Sequence, residues 1–147
     1  AQRDALLVHY STDYVFDGSA SCPYRPDDAT APLGVYGESK LAGEHAIRAS
    51  GARHAILRTA WVYAAHGRNF LLTMLRLAGE REELRVVADQ VGAPTPAAWI
   101  ADATAQLLQR GVPEAGTWHL VAGGETSWHG FASAIMEQAQ AAGLIAR

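Results

Sequence analysis

Apolar positions follow two rhythms along the chain. Residues 5–10 (ALLVHY) and 54–62 (HAILRTAWV) form short, mostly apolar runs that predict buried strands. Between them, residues 35–50 place Leu41, His45 and Ile47 close together at helical spacing, and Gly51 stands where a helix stops. The same helical rhythm recurs over residues 69–79, where Phe70, Leu71, Met74, Leu75 and Ala78 are apolar. It also predicts helices over residues 97–110 and 128–142, the last closed by Gly143. Thr95 is placed to cap the helix at 97–110, with Pro96 at its first position. Residues 84–88 and 117–121 read as further short strands, with residues 89–96 turn-rich and Gly123-Gly124 a turn. Strands alternating with helices of this length require parallel crossovers, so the pattern predicts an α/β layered fold. No repeat, low-complexity stretch or internal boundary interrupts it, which predicts one domain over 1–147.

Composition narrows the classes. Of 147 residues, 49% are hydrophobic and 18% charged, enough apolar material for a core. The net charge of −3 offers no basic stripe for a nucleic-acid backbone and no polybasic segment for an anionic membrane. Apolar runs fall far short of the roughly 18 residues of a membrane span. Cys22 has no intrachain partner, which suits a reducing cytoplasm. The six histidines lack metal-ligand spacing, so no metal site is expected.

The candidate chemistry lies at the end of the first strand. Residues 11–34 form a long loop containing Pro23, Pro26 and Pro32, and loops of that length in compact domains are often functional. Ser11 and Thr12 open it at the carboxyl end of the strand, where open α/β sheets bind ligands. Tyr36 and Lys40 are four residues apart on the following helix and share a face. An ammonium beside a phenol favours the phenolate, and a phenol in that setting exchanges a proton with a carbonyl or alkoxide oxygen. A hydroxyl from Thr12 is placed to hold the same oxygen. Together they make a kit for ketone reduction, with hydride supplied by a cofactor. Each piece also has a plainer reading: a Tyr-x-x-x-Lys pair arises by chance, and Ser and Thr after a strand commonly cap a turn.

Five segments carry a resemblance. HYSTDYVFDG (9–18), PLGVYGESKLAGE (32–44), LRTAWVY (57–63), DQVGAPT (89–95) and HLVAGG (119–124) occur in the order seen in extended short-chain dehydrogenases/reductases. They resemble in particular the dTDP-4-dehydrorhamnose reductase family. The resemblance implies a partial Rossmann-like, doubly wound parallel sheet with helices on both faces. It implies Thr12, Tyr36 and Lys40 as the catalytic trio. Ser11, Tyr36, Lys40, Ala60, Trp61 and Val62 would lie against NADPH (or NADH), and Thr12, Asp13, Tyr14, Trp61, Gln90 and Thr95 against the dTDP-sugar. Trp61 also reads as a core aromatic, and residues 90–95 as a Pro/Gly turn with a cap. Sugar-nucleotide dehydratases carry Asp-Glu after the threonine, whereas Asp13 here is followed by Tyr14, which favours simple reduction. The implied product is dTDP-L-rhamnose for bacterial cell-surface polysaccharide. Mg2+ is associated with the full-length family, but no site for it is visible here. Two other classes stay open: a non-catalytic relative such as the methionine adenosyltransferase regulatory subunit, and a reductase or epimerase of another nucleotide sugar.

The family's G-x-x-G-x-x-G turn for a dinucleotide pyrophosphate is absent from the 147 residues. That absence, with a chain that starts at Ala1 rather than Met, leads to the expectation of a fragment lacking the cofactor-binding half. On that expectation, the strand edge running from Leu6 to Tyr10 loses its neighbour and is covered by self-association.

Overall fold

The computed structural model describes residues 5–111 and 115–145. Its elements in chain order are β1 (Leu7–Thr12), a 3-10 turn (Asp13–Val15), α1 (Val35–Ala49), β2 (His54–Thr59), β3 (Val62–Tyr63) and α2 (Phe70–Glu80). There follow β4 (Val91–Gly92), β5 (Thr95–Pro96), α3 (Ala97–Arg110), β6 (Gly116–His119), β7 (Thr126–Ser127) and α4 (Trp128–Ala141). They form two compact units, one comprising the chain up to Ala60 with Asp102–Val121, the other Trp61–Ala101 with Ala122 onward.

The first unit is built on a parallel sheet ordered β1-β2-β6, in which Ser11, Arg58 and His119 stand side by side. Successive strand residues face opposite ways, so one face carries His9, Ser11, Arg58, Thr117 and His119, the other Tyr10 and Thr12. α1 covers the first face: Glu44 meets Arg58, and Arg48 meets Thr117. On the other face the Tyr10 hydroxyl donates to Thr104 of α3 at 2.8 Å. The parallel sheet with helices on both faces is therefore present. All six residues of β2 are buried, as its apolar sequence predicts for a strand covered on both sides.

The second unit packs α2 and α4 around Met74, Ala132 and Ile135, with Phe70, Leu71, Leu75 and Phe131 against them. Asn69 caps α2 by accepting from the Leu72 amide, and Ser127 caps α4 by accepting from Gly130. Two short ribbons complete it, β3 parallel to β5 and β4 antiparallel to β7.

Three expectations need correction. Residues 84–88 form no strand and enter no sheet; Leu84 and Val86 pack on the α2–α4 core and the Val87 carbonyl accepts from the His129 amide at 2.9 Å. Side-chain burial explains the apolar run without a strand partner. The run at 54–62 is not one strand: it breaks at Ala60-Trp61, where Trp61 has φ 47°, a left-handed backbone in which a strand cannot continue. Thr95 does not serve as the α3 cap. Its buried hydroxyl donates to the Ala93 carbonyl at 2.9 Å and accepts from the Ala122 amide at 3.2 Å, while Pro96 belongs to β5 and α3 starts one residue later.

Candidate active site

Tyr36, Lys40, Glu44 and Arg48 recur every four residues and form one row along α1. Each finds a partner in the first unit. The Tyr36 ring stands edge-on to Tyr14, centroids 5.9 Å apart at 75°. The Lys40 ammonium donates to the Tyr10 carbonyl at 2.6 Å, placing a positive charge beside β1. Glu44 is buried and Arg48 half-exposed. A row of this polarity facing a sheet is unusual for a helix, and its own partners satisfy it.

Gly37 brings the row close. A Cβ at this position would collide with the Tyr14 carbonyl oxygen, so only glycine lets the first turn of α1 approach the 3-10 turn so closely. That turn is capped by Thr12, whose hydroxyl oxygen accepts from the Tyr14 amide at 3.2 Å and whose proton goes to Asp13 Oδ1 at 2.9 Å. Burial raises the Asp13 pKa, opposed by the Thr12 hydrogen bond. Thr12 is buried, while Tyr14 and Tyr36 are each more than half exposed. The structure thus gathers Thr12, Asp13, Tyr14, Tyr36 and Lys40 at the carboxyl end of β1, with two phenols open to solvent. Ser11 is buried on the α1 face of β1 beside Glu44, and Ala60 is buried after β2.

Beneath the row lies a charge network that the motifs did not single out. Arg58 grips Glu44 in bidentate fashion, Nε to Oε1 at 2.9 Å and Nη2 to Oε2 at 2.8 Å, and its Nη1 donates to the Pro26 carbonyl at 3.1 Å. Burial by itself would raise the Glu44 pKa, but the bonds and positive charge of Arg58, with a further bond from Arg48, prevail and hold it at about 2. The Arg58 guanidinium also lies 5.0 Å from the centre of the Phe16 ring, which stacks on Tyr24. The Tyr24 hydroxyl donates to Asp17 at 2.7 Å, and Ser19 adds two more bonds to the same carboxylate oxygen. The long proline-containing loop is therefore tied down at Phe16, Tyr24 and Pro26. Arg48 bonds Glu44 and Thr117 at 2.9 Å each. The sequence signal was available: Arg58 is the one charge inside an apolar strand, and a buried charge requires a partner. His9 and His119 lie on the same face, their pKa values lowered first by burial and then by Lys40 and Arg58 respectively.

The remaining candidates belong to the second unit. Trp61 stacks on Trp128, ring centroids 3.6 Å apart and 10° from parallel, and its carbonyl accepts from the Thr95 amide at 3.2 Å. Val62 and Gln90 are exposed and Thr95 is fully buried. Among the described residues, no group of three or more His, Cys, Asp or Glu is placed to hold a metal ion, and no helix is long and apolar enough to cross a membrane.

The parallel sheet, the loop at the carboxyl end of β1 and the Tyr36–Lys40 spacing on α1 are those of an extended short-chain dehydrogenase fold. Residues 1–146 match the family described as RmlD substrate binding domain, and the chain belongs to that family. It is 56% identical over 143 residues to the dTDP-4-dehydrorhamnose reductase of Shigella flexneri, covering 95% of this chain and 48% of that protein. It also resembles the crystal structure of the Bacillus anthracis dTDP-4-dehydrorhamnose reductase in complex with NADP, with a TM-score of 0.85, 41% identity, and coverage of 92% of this chain and 48% of that one. The corresponding structure from Clostridium acetobutylicum gives a TM-score of 0.86 at 38% identity, over 97% of this chain and 49% of that one. The chain spans about half the length of the curated relatives it matches.

Proposed function

We propose that these residues form the proton-transfer and sugar-binding part of an NADPH-dependent reductase that converts the C4 ketone of dTDP-4-dehydro-6-deoxy-L-mannose to the alcohol of dTDP-L-rhamnose. The observation that carries this reading is the row on α1. Tyr36 presents an exposed phenol at the carboxyl end of β1, and Lys40, one turn on, holds its ammonium against the β1 backbone.

In the proposed reaction Tyr36 Oη delivers its proton to the keto oxygen, and Lys40 supplies the neighbouring positive charge that stabilises the phenolate left behind. Among the described residues one Lys40 N–H is engaged, by the Tyr10 carbonyl, and an ammonium has two more to offer Tyr36 or a ribose hydroxyl. A bound nicotinamide cofactor would supply the hydride. The ammonium and the phenol fit its ribose and nicotinamide end, with Ser11, Ala60, Trp61 and Val62 the other residues assigned to it. The pyrophosphate cradle has no counterpart in the 147 residues, and this chain alone is expected to bind NADPH weakly. Thr12, Asp13 and Tyr14 would face the sugar, Trp61 its 6-methyl group, and Gln90 and Thr95 the nucleotide side. Tyr14, exposed and edge-on to Tyr36, supports that assignment.

The test is NADPH oxidation by the full-length protein containing this chain, with the dTDP-keto sugar as substrate. Tyr36→Phe is expected to lower kcat by about 10²–10⁴-fold while cofactor affinity holds. Unchanged turnover in that variant refutes the proton-donor role. A cytoplasmic location belongs to the same proposal, since nucleotide sugars and NADPH are made there. So does self-association of this chain along β1, which pairs only with β2 among the described residues and exposes Leu7 and Tyr10. Sedimentation showing a monomer of the 147-residue chain at micromolar concentration would remove that last part.

A further inference from the structure

Trp61 combines three features that do not arise together by default. It is the one non-glycine residue with positive φ among the described residues, at 47°. Its indole is stacked face to face on Trp128, centroids 3.6 Å apart and 10° from parallel. And a Cβ built on Gly92 would fall 2.6–2.9 Å from Trp61 Cε2, Cζ2 and Nε1, so the glycine backbone lies directly against the indole. A bulky side chain in the left-handed region is strained, and such a conformation persists only where its surroundings over-determine it. Here the surroundings are the Trp128 face, the Gly92 backbone, and the Thr95 amide donating to the Trp61 carbonyl at 3.2 Å. The clamp is itself braced. Trp128 is the first residue of α4, whose cap is Ser127, and Phe70 of α2 leans on its ring with centroids 4.6 Å apart.

We infer that Trp128 and Gly92 are positioning residues for Trp61, and that they set how tightly the protein holds the deoxysugar. This rests on the proposal that Trp61 is the apolar wall for that sugar. A ring held by a stack on one side and a backbone contact on another has few orientations left to it. That pre-organises the surface Trp61 still presents, and a sugar methyl group meets a wall that needs no ordering on binding. Neither Trp128 nor Gly92 needs to touch the sugar. Loss of the clamp should therefore weaken sugar binding and leave the proton transfer at Tyr36 as it was.

The experiment compares wild type, Trp128→Ala, Trp128→Phe and Gly92→Ala in the full-length protein, by steady-state kinetics and circular dichroism. Two parallel indoles in van der Waals contact couple their transitions and give an exciton couplet, which reports the stack independently of activity. Trp128→Ala is expected to abolish the couplet and to raise KM for the dTDP-keto sugar roughly tenfold, with kcat unchanged. Trp128→Phe also removes the couplet but leaves a ring to stack on, so it should restore most of the sugar KM. Gly92→Ala, which adds one methyl group at a position with ordinary φ, should distort the couplet and raise the sugar KM. All variants should stay folded at the assay temperature. A sugar KM that stays at the wild-type value in Trp128→Ala, with the couplet gone, overturns the inference and leaves the reductase reading intact. A fall in kcat and a rise in both KM values together overturns it too, because a general structural role produces that pattern. A wild-type protein that reduces no dTDP-keto sugar sinks the underlying reading instead, and the two failures are told apart by that control.

Discussion

Replacing Glu44 and Arg58, singly and together, tests whether the buried pair under α1 is the anchor that the geometry describes. Both side chains are shielded from water, Glu44 entirely and Arg58 to 3%. Glu44→Leu leaves the Arg58 guanidinium buried with only the Pro26 carbonyl and the Phe16 ring for company. Removing one partner of such a pair costs about 3–5 kcal/mol. Arg58→Met leaves Glu44 with Arg48 and Ser11 as neighbours, so its cost belongs at the lower end of that range. The double variant has no orphaned charge at this position and should recover to within about 2 kcal/mol of wild type. A coupling energy of about 4 kcal/mol or more follows. Urea denaturation at neutral pH, followed by far-ultraviolet circular dichroism, measures all four proteins. A double variant as unstable as its two parents combined would refute the reasoning. The same pair has a pH signature. Glu44 falls from an ordinary 4.5 to about 2 in the folded chain. Its contribution is therefore complete above pH 4.5 and lost as pH falls toward 2, and it amounts to about 3 kcal/mol. Glu44→Gln should flatten the stability profile across that window, and an unchanged profile counts against the assignment.

Three further outcomes can be checked on the same material. Thr95→Val removes a fully buried hydroxyl that serves both the Ala93 carbonyl and the Ala122 amide, and a loss of about 1–3 kcal/mol in thermal or urea unfolding is expected. Gly37→Ala drives a methyl group into the Tyr14 carbonyl, so the first turn of α1 must retreat; turnover should drop with Tyr36 displaced, and full activity in this variant would show that the close approach is dispensable. Burial raises the Asp13 pKa, so its carboxylate costs stability at pH values above its ordinary range, and the cost vanishes on acidification. Asp13→Asn should accordingly raise the melting temperature at pH 7 and lose that advantage near pH 3, whereas an equal effect at both would contradict the sign.

The two kinds of site residue differed in how legible they were. Tyr36 and Lys40 are four apart within one helix, and spacing inside an element survives into the structure, so their shared face was readable from the chain. Trp61 was not. Nothing local predicts a left-handed tryptophan, and the groups its indole packs against are Trp128, sixty-seven positions later, and Gly92. The strand expected at 84–88 failed for a similar reason: apolar content announces burial, but a strand needs a partner, and only the tertiary structure assigns one. Glu44 lay between these cases. It continues the Tyr36–Lys40 spacing by one step, and Arg58 interrupts an otherwise apolar strand, but their pairing across fourteen residues emerged only in the fold.

That continuity has a mechanical consequence. Tyr36 and Glu44 sit eight residues apart on one helix, about 12 Å along its axis, and a helix of fifteen residues turns as a body. The bidentate grip of Arg58 on Glu44 fixes the rotation of α1 against the sheet, and the same rotation decides whether Lys40 reaches the Tyr10 carbonyl and Tyr36 meets Tyr14. On the proposed function, stability and chemistry thus share one row of side chains. Of the two partners, Arg58 should be the more sensitive for activity, because it also ties down the loop at Pro26 and Phe16 whereas Glu44 acts through α1 alone. In Glu44→Leu/Arg58→Met, then, stability should recover further than turnover does. Equal recovery of both would mean that the row's register is set elsewhere, by the Gly37 contact.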